Sequence, residues 1–586
     1  MAVQEQSKAI VVGLTAILAV VIAVILSAPA ATGYEASIYD TYPPTTWLAF
    51  GVVLMGGVLL ILVGGRERTS LWLPGFALIL GAYGVFYALP LIRGYVLYGS
   101  LLSDSLYHLS IVSDVISTGE LPQLLYPSTH ILFGELALLT GLSPSVFQMP
   151  ISFAFTVLFM IGYFVSARRF FSNRGGIYVL ASAVPLTYTG LQLTILPWFY
   201  ALCVIPLAIF ALQLQTRAKV ALVAFPLVTA IVFYHPLTGL FIIIIAGIYH
   251  IWSSWNPHIS AARGDTVALA AGITALVWAL DSSRVQALLV RTVFGVATEE
   301  GVASYAARAV GSEYTISQLL VEYVILRWGP LLLFLGAASL VIVAIAYRCI
   351  RERRISTAGM LVIQYLTTGI VGIILVGVGV LSQNLIRLSQ FALFFSTYLV
   401  GFGLWKTVRH KVGQQPHRRV TTIIGSGLVL VVLVSTVLSA GIAYEDNRHI
   451  TETTVEGTDW HLMNHDSSLQ TKSFRMSYQI QLYLQGYAAG HEAPRTFSRY
   501  SSVYQLPTNL GYDDNATMAQ TLQTRSYFIT KVSDIAWARS QPTVNDRAHQ
   551  YSRANQATLA DDTTVNKLYS NGPFNIWLAA SEAPQR

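Results

Sequence analysis

The chain has 586 residues, of which 54% are hydrophobic and only 11% are charged; a soluble domain carries about 25% charged residues. With a mean hydropathy of +0.57, an ordinary soluble enzyme is excluded. The net charge of +7 raises nucleic acid as a partner, but the basic residues sit in short loops between apolar runs, as in the cytoplasmic loops of membrane proteins. Cys203 and Cys349 both lie in or beside apolar runs and provide neither a disulfide framework nor a metal site.

A bilayer crossing takes about 20 apolar residues. Such runs recur at 9–29, 46–64, 71–91, 143–167, 175–191, 193–214, 219–236, 238–255, 266–282, 329–347, 358–382, 389–405 and 420–443, which makes 13 expected spans. Ala-Pro-Ala-Ala follows the first run, as after a signal peptide. Its apolar core of about 18 residues exceeds the 7–15 of such a segment, so an uncleaved anchor is expected. Alternating the faces puts Arg66 and Arg68, Arg168, Arg169 and Arg174, Arg217 and Lys219, Arg348 to Arg354, and the run Lys406 to Arg419 on one side. That side is expected to be cytoplasmic, with the N-terminus inside and the C-terminus outside.

Four regions then face outward: 30–46, 92–142, about 281–328, and the tail from 444 to 586. The tail is polar, with 14 acidic and 12 basic residues. Strand-like alternation appears in Ser473–Leu484, Arg525–Val532 and Pro573–Ala579, and Asn571-Gly572 signals a turn. A small mixed α/β domain is expected there. No internal repeat or low-complexity stretch is visible.

The stretch SDSLYHLSIVSDVISTGELPQLLYPST, Ser103 to Thr129, is the most informative. Leu106, Leu109, Val112 and Ile116 recur at helical spacing, Ser103 or Asp104 is suited to cap, and Gly119 to terminate, which predicts a helix over 104–116. A second short helix is predicted over 129–139, containing His130 and Glu135. Both are too short to span and suit the outer interface. Asp104 and His108 then stand one turn apart at the mouth of the bundle.

An Asp opening an outside juxtamembrane helix in D-S-L-Y-H-L, followed by G-E-L-P, Y-P-S-T-H, L-L-T-G-L-S-P and a span ending A-R-R-F-F, resembles the first external loop of GT-C glycosyltransferases, multispanning enzymes that take sugars from polyprenyl-phosphate carriers. The resemblance covers about 71–214 and is only architectural from there to 443. It implies a GT-C-like α-helical polytopic membrane protein with a small extracytoplasmic C-terminal α/β domain. The division is an N-terminal hairpin at 1–70, a core at 71–443 with external loop 92–142, and a C-terminal domain at 444–586. It implies Asp104 as the catalytic carboxylate with His108 as its neighbour. The partners implied are a polyprenyl-phosphate-linked sugar, a glycan or glycoprotein acceptor and membrane lipids.

The departures narrow the reading. Oligosaccharyltransferase catalytic subunits look similar in this loop but also carry a W-W-D-Y-G-type motif; here Thr458-Asp459-Trp460 is not that motif. Transfer of a single sugar is therefore favoured over en bloc transfer. There is no D-x-D and no G-x-x-x-x-G-K, which disfavours a nucleotide-sugar donor. The archaeal dolichyl-phosphate-mannose mannosyltransferases are the nearest in layout. A flippase or transporter would need polar residues at mid-membrane, and the runs are nearly free of charge at their centres. No cofactor is expected, and paired acidic ligands for a divalent metal are missing.

The chemistry requires a base for the acceptor hydroxyl and donors around a phosphate leaving group. Asp104 is the candidate base. Arg93, Arg327 and Arg387 are candidate phosphate ligands, because the guanidinium fork gives two hydrogen bonds to phosphate. Glu35 and Asp40 in the first loop, His235 at a span end and Glu135 in the second short helix complete the substrate-binding candidates. Each has a plain alternative: a helix cap for Asp104, a polar interfacial position for His108, solvated loop acids, a helix-end histidine, and arginines snorkelling to the interface.

Overall fold

The computed structural model describes residues 2–67, 70–95, 97–99, 104–121, 127–184, 193–214, 216–255, 265–280, 329–353, 355–377, 385–410, 447–497, 506, 510–512, 516–540 and 553–580. The membrane part contains α1 (Ala2–Ser27), α2 (Pro44–Glu67) and α3 (Trp72–Ile92), then the short strand β1 (Leu97–Tyr98) and the short helices α4 (Asp104–Thr118) and α5 (Pro127–Thr140). It continues with α6 (Gln148–Phe170), α7 (Asn173–Ala183), α8 (Pro197–Leu212), α9 (Arg217–Tyr234), α10 (Pro236–Trp255) and α11 (Asp265–Leu280), followed by α12 (Gly329–Glu352), α13 (Thr357–Gly377) and α14 (Leu385–His410).

Among the described residues six segments are long and apolar enough to cross a membrane: Glu5–Ser27, Pro44–Gly65, Trp72–Ile92, Pro144–Phe170, Leu332–Glu352 and Thr357–Ile374. Four shorter apolar helices, within α8 to α11, lie among them. This is the architecture of a multi-pass membrane protein. The expected span at 175–191 begins as α7, described over 11 residues; residues 185–192 lie outside the described residues. So do the expected span at 420–443 and the outward region 281–328, with Arg327.

The helices bury two apolar clusters. One gathers α1, α2 and α3 against α6 and α7. The other joins α4 to α6 and α8 to α14, and continues into the tail through Ile450, Met476 and Ile480. Two ends of the bundle are distinct. At one, the Ile195 amide donates to Ser105 of α4 (3.1 Å) and Gln148 at the start of α6 donates to the Tyr98 carbonyl (2.5 Å). At the other, Phe171 packs on Phe402 and Trp405, with Lys406 over the Trp405 ring and Arg168 over Phe164. Two of the basic clusters thus gather at the end away from α4.

The tail opens with β2 (His449–Ile450), α15 (Glu452–Asn464), β3 (Gln470–Ser473), α16 (Tyr478–Gln485) and α17 (Tyr487–Glu492). It closes with α18 (Met518–Leu522), β4 (Ser526–Lys531), α19 (Val532–Ser540), α20 (Arg553–Asp561), β5 (Val565–Ser570) and β6 (Phe574–Ala579). Its sheet has the order β3-β4-β6-β5; β3 runs parallel to β4, and the other pairs are antiparallel. Phe474, Phe528 and Trp577 sit in its core. The expected strands at 525–532 and 573–579 are β4 and β6, and Asn571-Gly572 lies in the β5–β6 hairpin loop, where Gly572 has φ +89°. The stretch 473–484 is corrected: only Ser473 is in a strand, and 478–485 is helix. Ser477 caps it by accepting from the Gln479 amide, so the apparent alternation of Ile480, Leu482 and Leu484 is a short amphipathic helix read at the wrong period.

The tail is tied to the membrane part through β2, which pairs antiparallel with β1. The loop between α1 and α2 joins the same junction, since the Asn447 amide donates to the Ala36 carbonyl (3.1 Å). Three of the four regions expected to face one way, 30–46, 92–142 and the tail, therefore meet at one end of the bundle.

Candidate active site

Asp104 is the first residue of α4 and is exposed. Negative charge is favoured in the first turn of a helix. The rest of α4 fixes its direction. Leu106, Leu109, Ile111 and Val112 are buried, so the helix is pinned along its apolar face. Gly119 ends it at φ +72°, close to the predicted boundary. The Gln479 side-chain amide of α16 donates to Asp104 Oδ1 at 3.4 Å, so the tail domain reaches the candidate base.

His108, one turn on, turns the other way. It is 4% exposed, and its Nδ1 lies 3.0 Å from Nε2 of His130, itself fully buried in α5. One imidazole donates and the other accepts. Burial pushes the His108 pKa down to about 3, which holds it neutral. The pair staples α4 to α5. Glu135 lies on the exposed side of α5, near the exposed Leu138 and Leu139, as expected of a helix lying at the membrane interface.

Arg93 and Glu35 form one ion pair. Both Glu35 oxygens accept from the Arg93 guanidinium, Nε at 3.1 Å to Oε2 and Nη2 to Oε1. Tyr95 OH donates to Oε2 at 2.5 Å and Thr41 to Oε1 at 3.2 Å. Arg93 Nη1 donates to the Pro29 carbonyl, and the residue is only 4% exposed. Burial raises the Glu35 pKa, but donation from Arg93, Tyr95 and Thr41 outweighs it and leaves the carboxyl below its ordinary value. Arg93 and Glu35, both candidates for substrate, engage each other here: the guanidinium fork is occupied in a junction. That junction includes His449, whose Nε2 accepts from the Glu35 amide (2.7 Å) while its ring stacks between Tyr34 and Tyr95. Burial pushes the His449 pKa down to about 4, matching its acceptor role.

His235 is likewise engaged in structure. It ends α9, is 6% exposed, and its Nδ1 accepts from the Thr238 amide (3.3 Å), capping the start of α10. Asp40 lies exposed in a short 3-10 turn, Ile38–Thr41. Arg387 is the third residue of α14 rather than part of a loop. Arg327 lies outside the described residues. Among the described residues no three or more His, Cys, Asp or Glu side chains converge on a possible metal position.

The residues that sequence reasoning missed are in the tail. Gln479 meets Asp104, and Asp114 on α4 accepts from two backbone amides of α17. No sequence pattern links positions nearly four hundred residues apart.

No family model matches the chain, and no curated protein matches it. Solved structures with a similar course include the oligosaccharyltransferase of Archaeoglobus fulgidus tethered to an acceptor peptide (TM-score 0.45, 11% identity, covering 80% of this chain and 71% of that one). The same organism's enzyme AglB with an inhibitory peptide and a dolichol-phosphate scores 0.40 at 11% identity, covering 79% and 71%. ArnT from Cupriavidus metallidurans bound to undecaprenyl phosphate scores 0.42 at 11% identity, covering 87% of this chain and 99% of that one.

Proposed function

We propose that this chain is a membrane glycosyltransferase of the GT-C type. It moves a single sugar, mannose by the resemblance of its first external loop, from a polyprenyl (dolichyl) phosphate to a glycan or glycoprotein acceptor at the outer face. The observation that carries the reading is the exposed Asp104 carboxylate. It opens a pinned juxtamembrane helix at the end of the bundle where the tail domain meets the membrane part.

A base at that place removes the acceptor proton as the anomeric carbon gains oxocarbenium character and the carrier phosphate departs. Arg387 and Arg327 are the proposed phosphate ligands. Arg93 is left out of the clamp because Glu35 and the Pro29 carbonyl occupy its donors. The tail and Asp104 share one end of the molecule, which is the outer face in this reading.

The test is Asp104→Asn in a membrane transfer assay, with expression and folding followed on the same preparation. Asparagine is nearly isosteric and remains a favoured residue at a helix start, but it cannot act as the base. Loss of transfer by about 10²–10⁴-fold with an unchanged melting profile is expected. Full activity in the Asn variant would sink the assignment and turn attention to Asp40, the exposed acid of the first loop.

A further inference from the structure

Helix α4 is gripped by the tail domain in two places. At about 100° per residue, Asp104, Tyr107 and Asp114 fall within one side of the helix. Asp114, near the far end, accepts from the Tyr487 amide through Oδ1 (3.1 Å) and from the Ala488 amide through Oδ2 (2.7 Å). These belong to the first turn of α17, whose N–H groups have no partner within the helix. Tyr107 meets the Tyr487 ring edge-on with centroids 5.5 Å apart.

The residue between α16 and α17 is built for this grip. Gly486 has φ +85°, and a Cβ there would lie 2.7 Å from Asp114 Oδ1. Both the backbone conformation and the space exclude a side chain. The chain turns at Gly486 so that α17 presents its amides to Asp114 while α16 runs back toward Asp104.

At the other end of α16 stands Gln479. Its Oε1 accepts from the Ser477 hydroxyl at 2.8 Å, which turns its amide nitrogen toward Asp104 Oδ1. We propose that Gln479 is a positioning residue for Asp104, and that the Asp114–Gly486 clasp sets its placement. The tail domain thus completes the reaction site on a carboxylate that the membrane part carries. This rests on the reading of Asp104 as the base.

The test uses the full chain in nanodiscs and begins with Gln479→Glu. A carboxylate near a helix start folds well, but beside Asp104 it disfavours the ionised base. The acid limb of the kcat/KM profile should move up by about one pH unit. In the double variant with Asp114→Ala the shift should fall to less than half, because α16 is no longer held in place. Hydrogen exchange across 478–492 should rise in Asp114→Ala whether or not the protein is active.

Three outcomes overturn the proposal: an unmoved acid limb in Gln479→Glu, a shift that persists in full without Asp114, or unchanged exchange in Asp114→Ala. Each leaves the functional reading intact if Asp104→Asn is inactive. An active Asp104→Asn removes that reading and the positioning role with it, and hydrogen exchange then reports on the clasp alone.

Discussion

Two groups of charged residues lie at the same end of this molecule and behave oppositely. In the junction around Glu35, carboxylate and guanidinium are matched fork to fork, Tyr95 and Thr41 supply the remaining donors, and Arg93 is buried. At the start of α4, the Asp104 carboxylate is exposed to solvent, with a neutral amide 3.4 Å away. The first arrangement fixes how the α1–α2 loop, the end of α3 and the tail domain sit together. The second keeps a negative oxygen accessible. Residue type alone separates neither: both are carboxylates in polar segments flanking membrane helices. Burial makes the distinction.

The sharpest way to break the comparison is to neutralise one carboxylate in each region. Asp104→Asn is expected to remove transfer by about 10²–10⁴-fold while leaving the thermal midpoint close to that of the parent. Glu35→Gln should do the reverse, retaining measurable transfer but losing stability because the Arg93 cation stays buried without its counter-charge. Parallel transfer and melting measurements on the two variants decide it. Two variants with the same profile would erase the distinction.

A second test sharpens the junction side. Arg93→Met leaves Glu35 with Tyr95 and Thr41 but no cation, and truncating one partner of a buried pair costs about 3–5 kcal/mol. Glu35 keeps some solvent contact, so the lower end, about 3 kcal/mol, is expected from denaturant or thermal unfolding. The pair Arg93→Met with Glu35→Gln should recover part of the loss, since neither charge is then left alone. Strictly additive losses would show that the two side chains do not interact.

A third test concerns the donor. Arg387→Ala is expected to raise the apparent KM for the polyprenyl-phosphate sugar about tenfold, the effect of one lost charge-assisted contact of about 1.4 kcal/mol. Arg387→Lys should recover only part of it, because a point charge replaces a fork. Unchanged donor kinetics in both variants would make Arg387 an interfacial anchor.

Much of this was legible from local signals. Hydropathy located the helices, because each run must satisfy its own backbone in lipid. Gly119 announced the end of α4, and strand-like alternation marked β4 and β6. Two things were not legible. The 473–484 stretch alternated like a strand, and only the Ser477 cap distinguishes a helix of eight residues. The partners of Arg93, His108 and Asp114 lie 58, 22 and 373 residues away, so no periodicity connects them. Polar residues at span ends could be listed from sequence, but their pairing needed the fold.

The His108–His130 pair offers the smallest expected effect and extends the comparison to pH. His108 is buried and held neutral, with a folded pKa of about 3 against about 6.5 in an unfolded chain. Between these values the unfolded state binds a proton that the folded state does not. Stability from this site is therefore fully present above about pH 6.5 and is lost as pH falls toward 3, with a slope up to about 1.4 kcal/mol per pH unit. His130 faces the same ring across 3.0 Å, and Asp104 and Tyr107 are the nearby titratable groups on α4. His108→Gln keeps a hydrogen-bonding side chain and removes the titration. Its stability near neutral pH should be close to that of the parent, with a flatter decline between pH 6 and 4. Hydrogen exchange of α4 and α5 as a function of pH reads the effect where it arises. An acid response in His108→Gln equal to that of the parent would place the loss elsewhere, at His461 or His449, because burial also holds their pKa values low, at about 3 and about 4. The three histidines belong to different contacts, one between α4 and α5, one between α15 and β3 and one at the junction, so the elements that loosen first identify which has taken up the proton.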